Sequence, residues 1–345
     1  MFDHPSFDAH EGVHHFHDAE TGLRCIIAVH STALGPSAGG CRMWAYGSAD
    51  EMLTDALRLS QGMSYKNAMA GLPHGGGKAV VWGDPHKDKS RGLFLAFGRA
   101  VESLQGQYYT AEDVGIDVAD IQTAGEVTDY AAGLDNGAAA SGDPSPVTAK
   151  GVFLGLKAAA ARAFGSDDLH ERTVAVQGVG SVGGYLCRHL ANAGARLVIA
   201  DVDKAALEEI AGATGASIVA PDEIYDVEAD VFSPNALGSV INPATLPRLK
   251  AKVIAGGANN QFSTPDMGEA VRQAGILYAP DYVINGGGII NVAAEISGTY
   301  DPAWVDGKLT TLIATLEAVM DEALSAGEPT HAVADRMAQA RIDRA

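Results

Sequence analysis

Residues 178–183 read Gly-Val-Gly-Ser-Val-Gly, and their position between two hydrophobic segments limits the fold more than any other feature of the chain. The preceding residues 173–177 are apolar enough for a buried strand, and residues 181–193 have helical spacing that ends before Gly194. A strand that runs through a glycine turn into a helix is typical of a dinucleotide-binding α/β unit. An ordinary glycine-rich turn is the alternative.

The three motif glycines have different physical roles in such a unit. Gly178 permits the tight turn, Gly180 lets the backbone approach a pyrophosphate, and Gly183 lets the helix pack closely on the strand. The helix N-terminus attracts the phosphates, and Asp201, at the end of the next predicted strand, is placed to accept hydrogen bonds from ribose hydroxyls. Because a carboxylate there repels a 2′-phosphate, the motif favours NAD over NADP. Asp203 is the alternative carboxylate.

Hydrophobic patterns divide the chain into two halves. After about residue 144 strands and helices alternate, which is typical of a parallel sheet. The predicted strands of this half are 173–177, 196–200, 231–233, 253–255 and 276–279, and its predicted helices are 147–164, 181–193, 203–213 and the tail from 302 to 345. The first half has predicted strands at 23–29, 79–82 and 108–112, a helix that a capping box at Ser48 and Glu51 opens and that runs to about Ala70, and a helix at 92–104.

Residues 131–143 are small, polar and rich in glycine, so they are the candidate hinge. We therefore predict an α/β fold of two domains with a cleft between them. Residues 1–143 form the first domain, and residues 144–325 form a Rossmann-type dinucleotide-binding domain. The C-terminal helix, residues 326–345, is expected to pack back onto the first domain.

Composition excludes several classes of protein. The 345 residues are 47% hydrophobic and carry a net charge of −19, which argues against a nucleic-acid or anionic-membrane partner. No apolar run is long enough for a membrane span, and the N-terminus lacks the pattern of a signal peptide. The three scattered cysteines fit reduced thiols in the cytoplasm. The histidines of residues 4–17 have no fixed ligand spacing, so we expect no metal.

Two lysines mark a candidate catalytic site. Lys66 lies at the end of a predicted helix, and Lys78 follows three glycines in a segment with almost no other charge. A lysine alone is usually a surface residue, but an ammonium in apolar surroundings is costly unless it has a partner or loses its proton. The two lysines and the apolar-flanked Asp113 form one candidate site. We expect one lysine to be a neutral amine near neutral pH and the other to bind a carboxylate as a cation.

Seven short motifs, in order along nearly the whole chain, resemble one enzyme family. They are residues 39–43 (GGCRM), 62–66 (GMSYK), 75–79 (GGGKA), 112–115 (EDVG), 142–148 (GDPSPVT), 256–261 (GGANNQ) and 285–292 (NGGGIINV). The resemblance is to the amino-acid dehydrogenases that act on Glu, Leu, Phe and Val. The chain length suits the shorter branch, the leucine, valine and phenylalanine dehydrogenases.

The resemblance implies a reaction and its catalytic groups. In NAD-dependent oxidative deamination, hydride leaves the substrate Cα for nicotinamide C4, water attacks the imine, and ammonia leaves a 2-oxo acid. Lys78 matches the general base, Asp113 matches the acid that shuttles protons to the substrate nitrogen, and Lys66 matches the lysine that binds the α-carboxylate. The family serves amino-acid catabolism and commonly forms homo-oligomers, with the first domain binding substrate and forming the subunit contacts.

Further residues are assigned by position in the family pattern. The implied substrate contacts, besides Lys66, are Gly39, Gly40, Met63, Ala38, Ala111, Asn259, Ile289 and Val292. The implied cofactor contacts are Gly178, Gly180, Ser181, Val182, Gly183, Asp201, Thr148, Asn235, Ala258 and Asn259. His74 departs from the pattern, because an apolar residue is expected there, and it either tunes Lys78 or fills space.

Ala38 decides which substrate class we expect. The glutamate enzymes have a lysine at this place, and without that cation a buried substrate carboxylate would be uncompensated. With Ala111, Ile289 and Val292, Ala38 forms an apolar pocket that favours leucine, valine or isoleucine. Because Ala38 is smaller than the expected leucine, phenylalanine or another aromatic amino acid is the alternative. A non-catalytic NAD-binding protein is the third hypothesis, which the presence of both lysines and the aspartate disfavours.

Overall fold

The computed structural model of the chain describes residues 1–134, 142–298 and 300–345. The strands are β1 (Gly12–Asp18), β2 (Leu23–Ser31), β3 (Ser37–Ala38), β4 (Cys41–Trp44), β5 (Gly75–Trp82), β6 (Tyr108–Tyr109), β7 (Thr173–Gln177), β8 (Arg196–Ala200), β9 (Ser217–Ile218), β10 (Val231–Pro234), β11 (Val253–Ile254) and β12 (Leu277–Tyr278). The helices are α1 (Ala49–Met69), α2 (Arg91–Glu102), α3 (Val118–Gly125), α4 (Ser145–Phe164), α5 (Ser181–Asn192), α6 (Lys204–Thr214), α7 (Met267–Gln273), α8 (Asp281–Ile284), α9 (Gly287–Ile296), α10 (Pro302–Ala326) and α11 (Thr330–Ile342). Within these described ranges, no helix combines the length and the apolarity needed to cross a membrane.

The chain forms two compact units. Unit 1 consists of Met1–Pro144, Ile289–Val305 and Ala338–Ala345, and unit 2 consists of Ser145–Gly288 and Asp306–Met337. The chain therefore returns to unit 1 twice after it first leaves that unit. Most of the predicted hinge lies outside the described residues, because 135–141 are not among them.

Unit 1 is built around a mixed sheet with the strand order β1-β2-β5-β3-β6, in which β4 also pairs with β5. The inner strand β2, between β1 and β5, is buried on both faces. Cys25, Ile27 and Val29 pack with residues of α2, whereas Ile26 and Ala28 pack with residues of α1 on the other face. This alternation, with period two, places α1 and α2 on opposite faces of the sheet.

The side chains of Arg341 and Gln339 tie the end of α11 to α1 inside unit 1. The Arg341 Nη1 donates hydrogen bonds to the carbonyl oxygens of Ala68 and Met69, at 2.9 and 3.1 Å. The Tyr65 hydroxyl donates to Gln339 Oε1 at 3.1 Å. A cation at this position satisfies carbonyls at the C-terminus of α1 that have no partner within the helix.

Unit 2 contains a fully parallel sheet with the order β12-β11-β10-β7-β8-β9. This order confirms the predicted Rossmann-type sheet. The first strand of this sheet, β7, lies in its middle. The strands β8 and β9 follow on one side and β10 to β12 on the other, so the strand order reverses between β7 and β10. Ligands of such sheets bind beyond the carboxyl ends of the strands at this reversal.

One difference from the sequence prediction concerns the strand that contains Lys78. The strand was expected to begin at Ala79, but it begins at Gly75 and includes Lys78. Three consecutive glycines suggest a turn, yet here they permit close packing: a Cβ at Gly76 would lie 2.0 Å from the backbone nitrogen of Ser64 in α1. The tail also differs, because it forms α10 and α11 instead of one helix. The strand β1 and the helices α3 and α9 were not predicted.

We expect Gly76→Ala to lower the free energy of unfolding by about 1–3 kcal/mol, because its methyl group would force α1 away from β5. Chemical denaturation followed by circular dichroism measures this change. Gly62→Ala, within α1 itself, is the matched control, since apart from the helix's own backbone no atom of the described residues lies within 4 Å of a Cβ at Gly62. Replacing this helical glycine should leave stability unchanged or raise it by up to about 1 kcal/mol. Equal losses in both variants would contradict the packing argument.

Candidate active site

Lys78 and Asp113 form a buried ion pair in unit 1. The Lys78 side chain is 5% exposed, and its Nζ lies 2.8 Å from Asp113 Oδ2. The isolated bridge between Cys41 and Glu112 holds the segment after β6 beside β4, which is paired with the Lys78 strand. The structure thus brings together two residues that are 35 positions apart in the sequence.

Two cations meet at one oxygen of Asp113. The Oδ2 atom accepts from Lys78 Nζ and from Arg42 Nε, the latter at 3.2 Å. Burial alone would raise the pKa of Asp113, but Lys78 and Arg42 outweigh that effect and hold the pKa below its usual value. Asp113 is therefore a carboxylate at neutral pH. The neutral amine expected for the lysine base stays a prediction.

Sequence reasoning did not assign a role to the residues that surround this pair. The Arg42 Nη1 donates to Asp55 Oδ1 and Oδ2 at 3.2 and 3.1 Å, and the Tyr46 hydroxyl donates to Asp55 Oδ2 at 2.7 Å. Arg42 belongs to the short strand Cys41–Trp44, whose other members are uncharged. That isolated charge in an otherwise apolar strand was the available signal.

The predicted substrate contacts Gly39, Gly40 and Met63 lie beside the ion pair and its strand. A Cβ at Gly40 would lie 2.9 Å from the Asp113 Cβ and 2.5 Å from the carbonyl oxygen of Glu112. A Cβ at Gly39 would lie 2.0 Å from the Gly77 carbonyl oxygen and 2.9 Å from Met63 Cγ. These positions accept only glycine without movement of the backbone.

The residues of the predicted side-chain pocket all belong to unit 1, although they are far apart in sequence. Ala38 in β3 and Ala111 are buried, as are Ile289 and Val292 in α9. Lys66 is half-buried near the C-terminal end of α1, the helix that packs against the glycines of β5. That these side chains form one pocket around a substrate stays a prediction.

Glu295 attaches α9 to the part of unit 1 that contains Ala111. Its carboxylate accepts hydrogen bonds from the backbone nitrogens of Gly133, at 2.9 Å, and Leu134, at 3.1 Å. A Cβ at Gly133 would in turn be 3.7 Å from the Ala111 Cβ. Because Val292 and Glu295 are three residues apart on one helix, they lie on the same face of α9.

The glycine turn of unit 2 has the geometry that a dinucleotide pyrophosphate requires. Gly178 has a φ of +91°, and a Cβ at Gly183 would lie 2.0 Å from the Gly178 carbonyl oxygen. In contrast, no atom of the described residues lies within 4 Å of a Cβ at Gly180. The turn is therefore tightly packed where helix and strand meet, and it is open in front of Ser181, the first residue of α5. These residues fit the pyrophosphate of a dinucleotide.

Asp201 and Asp203 differ in their local contacts. Asp201, after β8, accepts the backbone N–H of Val179 in the glycine turn at 2.7 Å through its Oδ2 atom, and the N–H of Asp203 at 2.9 Å through Oδ1. Asp203 accepts the N–H groups of Ala205 and Ala206 and is the N-cap of α6. These contacts favour Asp201 as the carboxylate beside the dinucleotide turn.

The remaining predicted cofactor contacts follow β10 and β11 or open α4. Asn235 Oδ1 accepts the Gly257 N–H at 2.8 Å, and a Cβ at Gly257 would lie 3.1 Å from Val182 Cγ1. Ala258 is buried, and Thr148 lies half-buried in the first turn of α4. The structure thus brings Asn235, Val182 and the glycines before Ala258 together at the carboxyl ends of the central strands.

Asn259 has a partner that sequence reasoning missed. It lies exposed after β11, and its Oδ1 accepts from Asn285 Nδ2 at 2.7 Å. The same Asn285 nitrogen donates to the Gly257 carbonyl oxygen at 3.1 Å. Asn285 opens a motif of the family pattern, and its position among glycines was the signal for a polar role.

His74 and the three cysteines are buried. Burial lowers the pKa of His74, which hydrogen-bonds to the backbone of Pro36, and this contact favours the space-filling alternative for that residue. Cys25, Cys41 and Cys187 are buried free thiols. Over residues 1–134, 142–298 and 300–345, no group of three or more His, Cys, Asp or Glu side chains is arranged to hold a metal ion.

Comparison with known proteins agrees with this fold. Residues 10–130 match the family model "Glu/Leu/Phe/Val dehydrogenase, dimerisation domain", and residues 199–345 match "Glutamate/Leucine/Phenylalanine/Valine dehydrogenase". The chain belongs to the Glu/Leu/Phe/Val dehydrogenase family and is an amino-acid dehydrogenase. The resemblance seen in the sequence is therefore confirmed.

Individual relatives cover nearly the whole chain. A leucine dehydrogenase of Geobacillus stearothermophilus is 52% identical over 94% of this chain and 89% of its own length. A phenylalanine dehydrogenase of Bacillus thermotolerans is 45% identical over 96% of this chain and 88% of its own length. The crystal structure of an L-tryptophan dehydrogenase from Nostoc punctiforme superposes with a TM-score of 0.84 and 41% identity, covering 97% of this chain and 96% of that one.

We expect the stability cost of Asp113→Asn to shrink as the pH falls. At neutral pH the variant leaves Lys78 buried without a countercharge, which costs about 3–5 kcal/mol. The pKa of Asp113 is lowered by folding, so its carboxylate stabilises the protein above the unfolded value of about 4, and this stabilisation is lost as the pH falls through the lower folded value.

Urea unfolding of both proteins between about pH 7 and about pH 3 measures this effect. Asp129→Asn is the control, because Asp129 is exposed and its replacement should change little at any pH. A difference between Asp113→Asn and the unchanged protein that stays constant over this range would contradict the ion-pair argument.

Proposed function

We propose that this chain oxidatively deaminates an apolar L-amino acid in a reversible NAD-dependent reaction. Leucine, valine and isoleucine are the first candidate substrates. The observation that carries the proposal is the buried pair of Lys78 Nζ and Asp113 Oδ2, 2.8 Å apart, beside the glycines of the family pattern. The overall reaction consumes water and the oxidised cofactor and releases a 2-oxo acid, ammonia, the reduced cofactor and a proton. The relative named leucine dehydrogenase supports the substrate class.

Three side chains of unit 1 would carry the proton transfers and the binding of substrate. Lys66 holds the substrate α-carboxylate as a cation. Lys78 Nζ accepts a proton from the water that attacks the imine carbon, and the Asp113 carboxylate moves protons to and from the substrate nitrogen. The reaction thus requires Lys78 to give up the proton that it shares with Asp113.

We propose that unit 2 holds the dinucleotide through the turn at residues 178–183, with Thr148, Asn235, Ala258 and Asn259 near the nicotinamide. When bound, the nicotinamide supplies the hydride acceptor. The open space at Gly180 receives the pyrophosphate, and Asp201 binds the ribose hydroxyls and disfavours a 2′-phosphate. NAD is therefore the proposed cofactor.

The apolar side chains of the predicted pocket support an apolar substrate. Ala38 is 1% exposed and offers no cation to a distal carboxylate, which disfavours glutamate. Aromatic amino acids are the second candidate, because Ala38 is small and because relatives named phenylalanine and L-tryptophan dehydrogenase share 45% and 43% of their residues with this chain. Such pockets discriminate by only about 1–3 kcal/mol for each methylene, so several substrates are expected to react.

The proposal extends to organisation and location. Residues 1–143 would bind the amino acid and form contacts within a homo-oligomer, and the family description "dimerisation domain" over residues 10–130 supports this. Residues 144–325 would bind NAD, except for Ile289–Val305, which belong to unit 1 and carry two of the predicted substrate contacts. The three buried free thiols support a location in the reducing cytoplasm, where we place a role in amino-acid catabolism.

We expect Lys78→Ala to lower kcat for leucine by about 10³-fold or more, because the general base is lost, while NADH binding stays largely intact. Stopped assays of NADH formation and fluorescence titration with NADH measure the two quantities separately. Lys89→Ala is the matched control, since Lys89 also pairs with aspartates of unit 1 but lies outside the candidate site. Near-normal turnover by Lys78→Ala would remove the proposed mechanism.

A substrate panel separates the candidate activities. With NAD at alkaline pH, we expect kcat/KM to be higher for leucine and valine than for phenylalanine and tryptophan, and to fall when NADP replaces NAD. Higher values for the aromatic substrates would establish the second candidate. No NADH formation with any apolar amino acid, although NADH binds, would favour a non-catalytic NAD-binding protein.

A further inference from the structure

Arg42 contacts the Lys78–Asp113 pair, and the proposed mechanism gives it no part. Its side chain is 20% exposed and extends from β4, and its Nε lies 3.2 Å from the Asp113 oxygen that also accepts from Lys78. A guanidinium keeps its proton throughout the pH range of proteins, whereas a lysine amine can lose it. The two cations at this oxygen are therefore chemically different.

The guanidinium is fixed from its other side by α1. Nη1 contacts both carboxylate oxygens of Asp55, and the Tyr46 hydroxyl donates to one of them at 2.7 Å. Arg42 thus bridges two carboxylates that come from different parts of unit 1, with nitrogens held in one plane. This arrangement sets the direction from which it approaches Asp113.

The permanent charge matters at the moment when Lys78 is neutral. If Lys78 were the only cation, its deprotonation would leave Asp113 as a buried carboxylate without a countercharge, and Asp113 would take up the proton itself. The other groups around Asp113 cannot replace the charge: Cys41 is a buried thiol whose pKa is raised by burial, and the Val114 N–H is neutral. Of the two cations that contact Asp113 Oδ2 among the described residues, Arg42 is the one that stays charged through the cycle.

We propose that Arg42 is a positioning residue that keeps Asp113 ionised and oriented while Lys78 gains and loses its proton, with Asp55 and Tyr46 holding Arg42 in place. The proposal rests on the function proposed above, because it concerns the same proton transfers. Because Arg42 Nε and Nη1 are bound to Asp113 and Asp55, we assign Arg42 to the positioning of Asp113 and leave the substrate carboxylate to Lys66.

The test compares Arg42→Gln, Arg42→Lys and Asp55→Asn with the unchanged enzyme. We expect Arg42→Gln to lower kcat by about 100-fold and to change KM by less than about threefold, because binding is kept and proton transfer is impaired. Added guanidinium chloride should restore at least a tenth of kcat. The kcat of Arg42→Lys should lie between the values of Arg42→Gln and of the unchanged enzyme, since an ammonium keeps the charge but cannot bridge both carboxylates.

A second readout needs no turnover. Carbon-13 NMR of the aspartate carboxyls, with the Asp113 signal assigned from Asp113→Asn, follows the titration of Asp113 directly. We expect this titration to move to higher pH in Arg42→Gln and to stay in place in the control Arg91→Gln, whose arginine pairs with Glu126 away from the site. If Arg42→Gln does not fold, Asp55→Asn carries the test, with a loss of kcat of about 10-fold at unchanged KM.

The outcomes separate the two proposals. The role of Arg42 is overturned if Arg42→Gln retains full kcat and its Asp113 titration does not move. It is also overturned if Arg42→Gln raises KM and leaves kcat unchanged. In both cases the amino-acid dehydrogenase function stands. A moved titration in a chain that oxidises no amino acid overturns the proposed function instead. Rescue by guanidinium together with a moved titration supports the positioning role.

Discussion

A lysine ammonium inside a β-sheet requires a matching negative charge, and much of unit 1 is arranged around that requirement. Lys78 occupies the fourth position of β5, where its neighbours leave its side chain 5% exposed. The countercharge comes from Asp113, which the bridge between Cys41 and Glu112 holds at the right distance. Because the pair is buried, removing either partner costs more than a surface ion pair would.

Glycines make this arrangement possible by removing side chains where backbones must meet. Gly76 lies against α1, and Gly40 lies against the Asp113 segment. Each close approach brings a charged residue nearer to the site, since α1 carries Lys66 and Asp55, and the chain after Gly40 enters β4, which contains Arg42. At these two positions glycine therefore serves close packing around charged groups.

The sequence was sufficient for elements whose pattern is purely local. The strands β7 and β8 have the predicted bounds, because a buried parallel strand is a short apolar run between turn residues. The start of β5 was wrong, because three glycines indicate a turn unless the helix that packs on them is known. The bridge from Arg42 to Asp55 could not be read from sequence, since it depends on the register of β4 against α1 in three dimensions.

The repeated return of the chain to unit 1 has a consequence for how such a protein can be divided. A fragment that stops at Pro144 would lack Glu295, which binds the backbone at Gly133, and Arg341, which covers the end of α1. Neither unit is a contiguous block of sequence. Recombination that exchanged one simple segment between relatives would therefore split a unit, so substrate and cofactor preferences in this architecture are expected to diversify by point substitution rather than by exchange of whole modules.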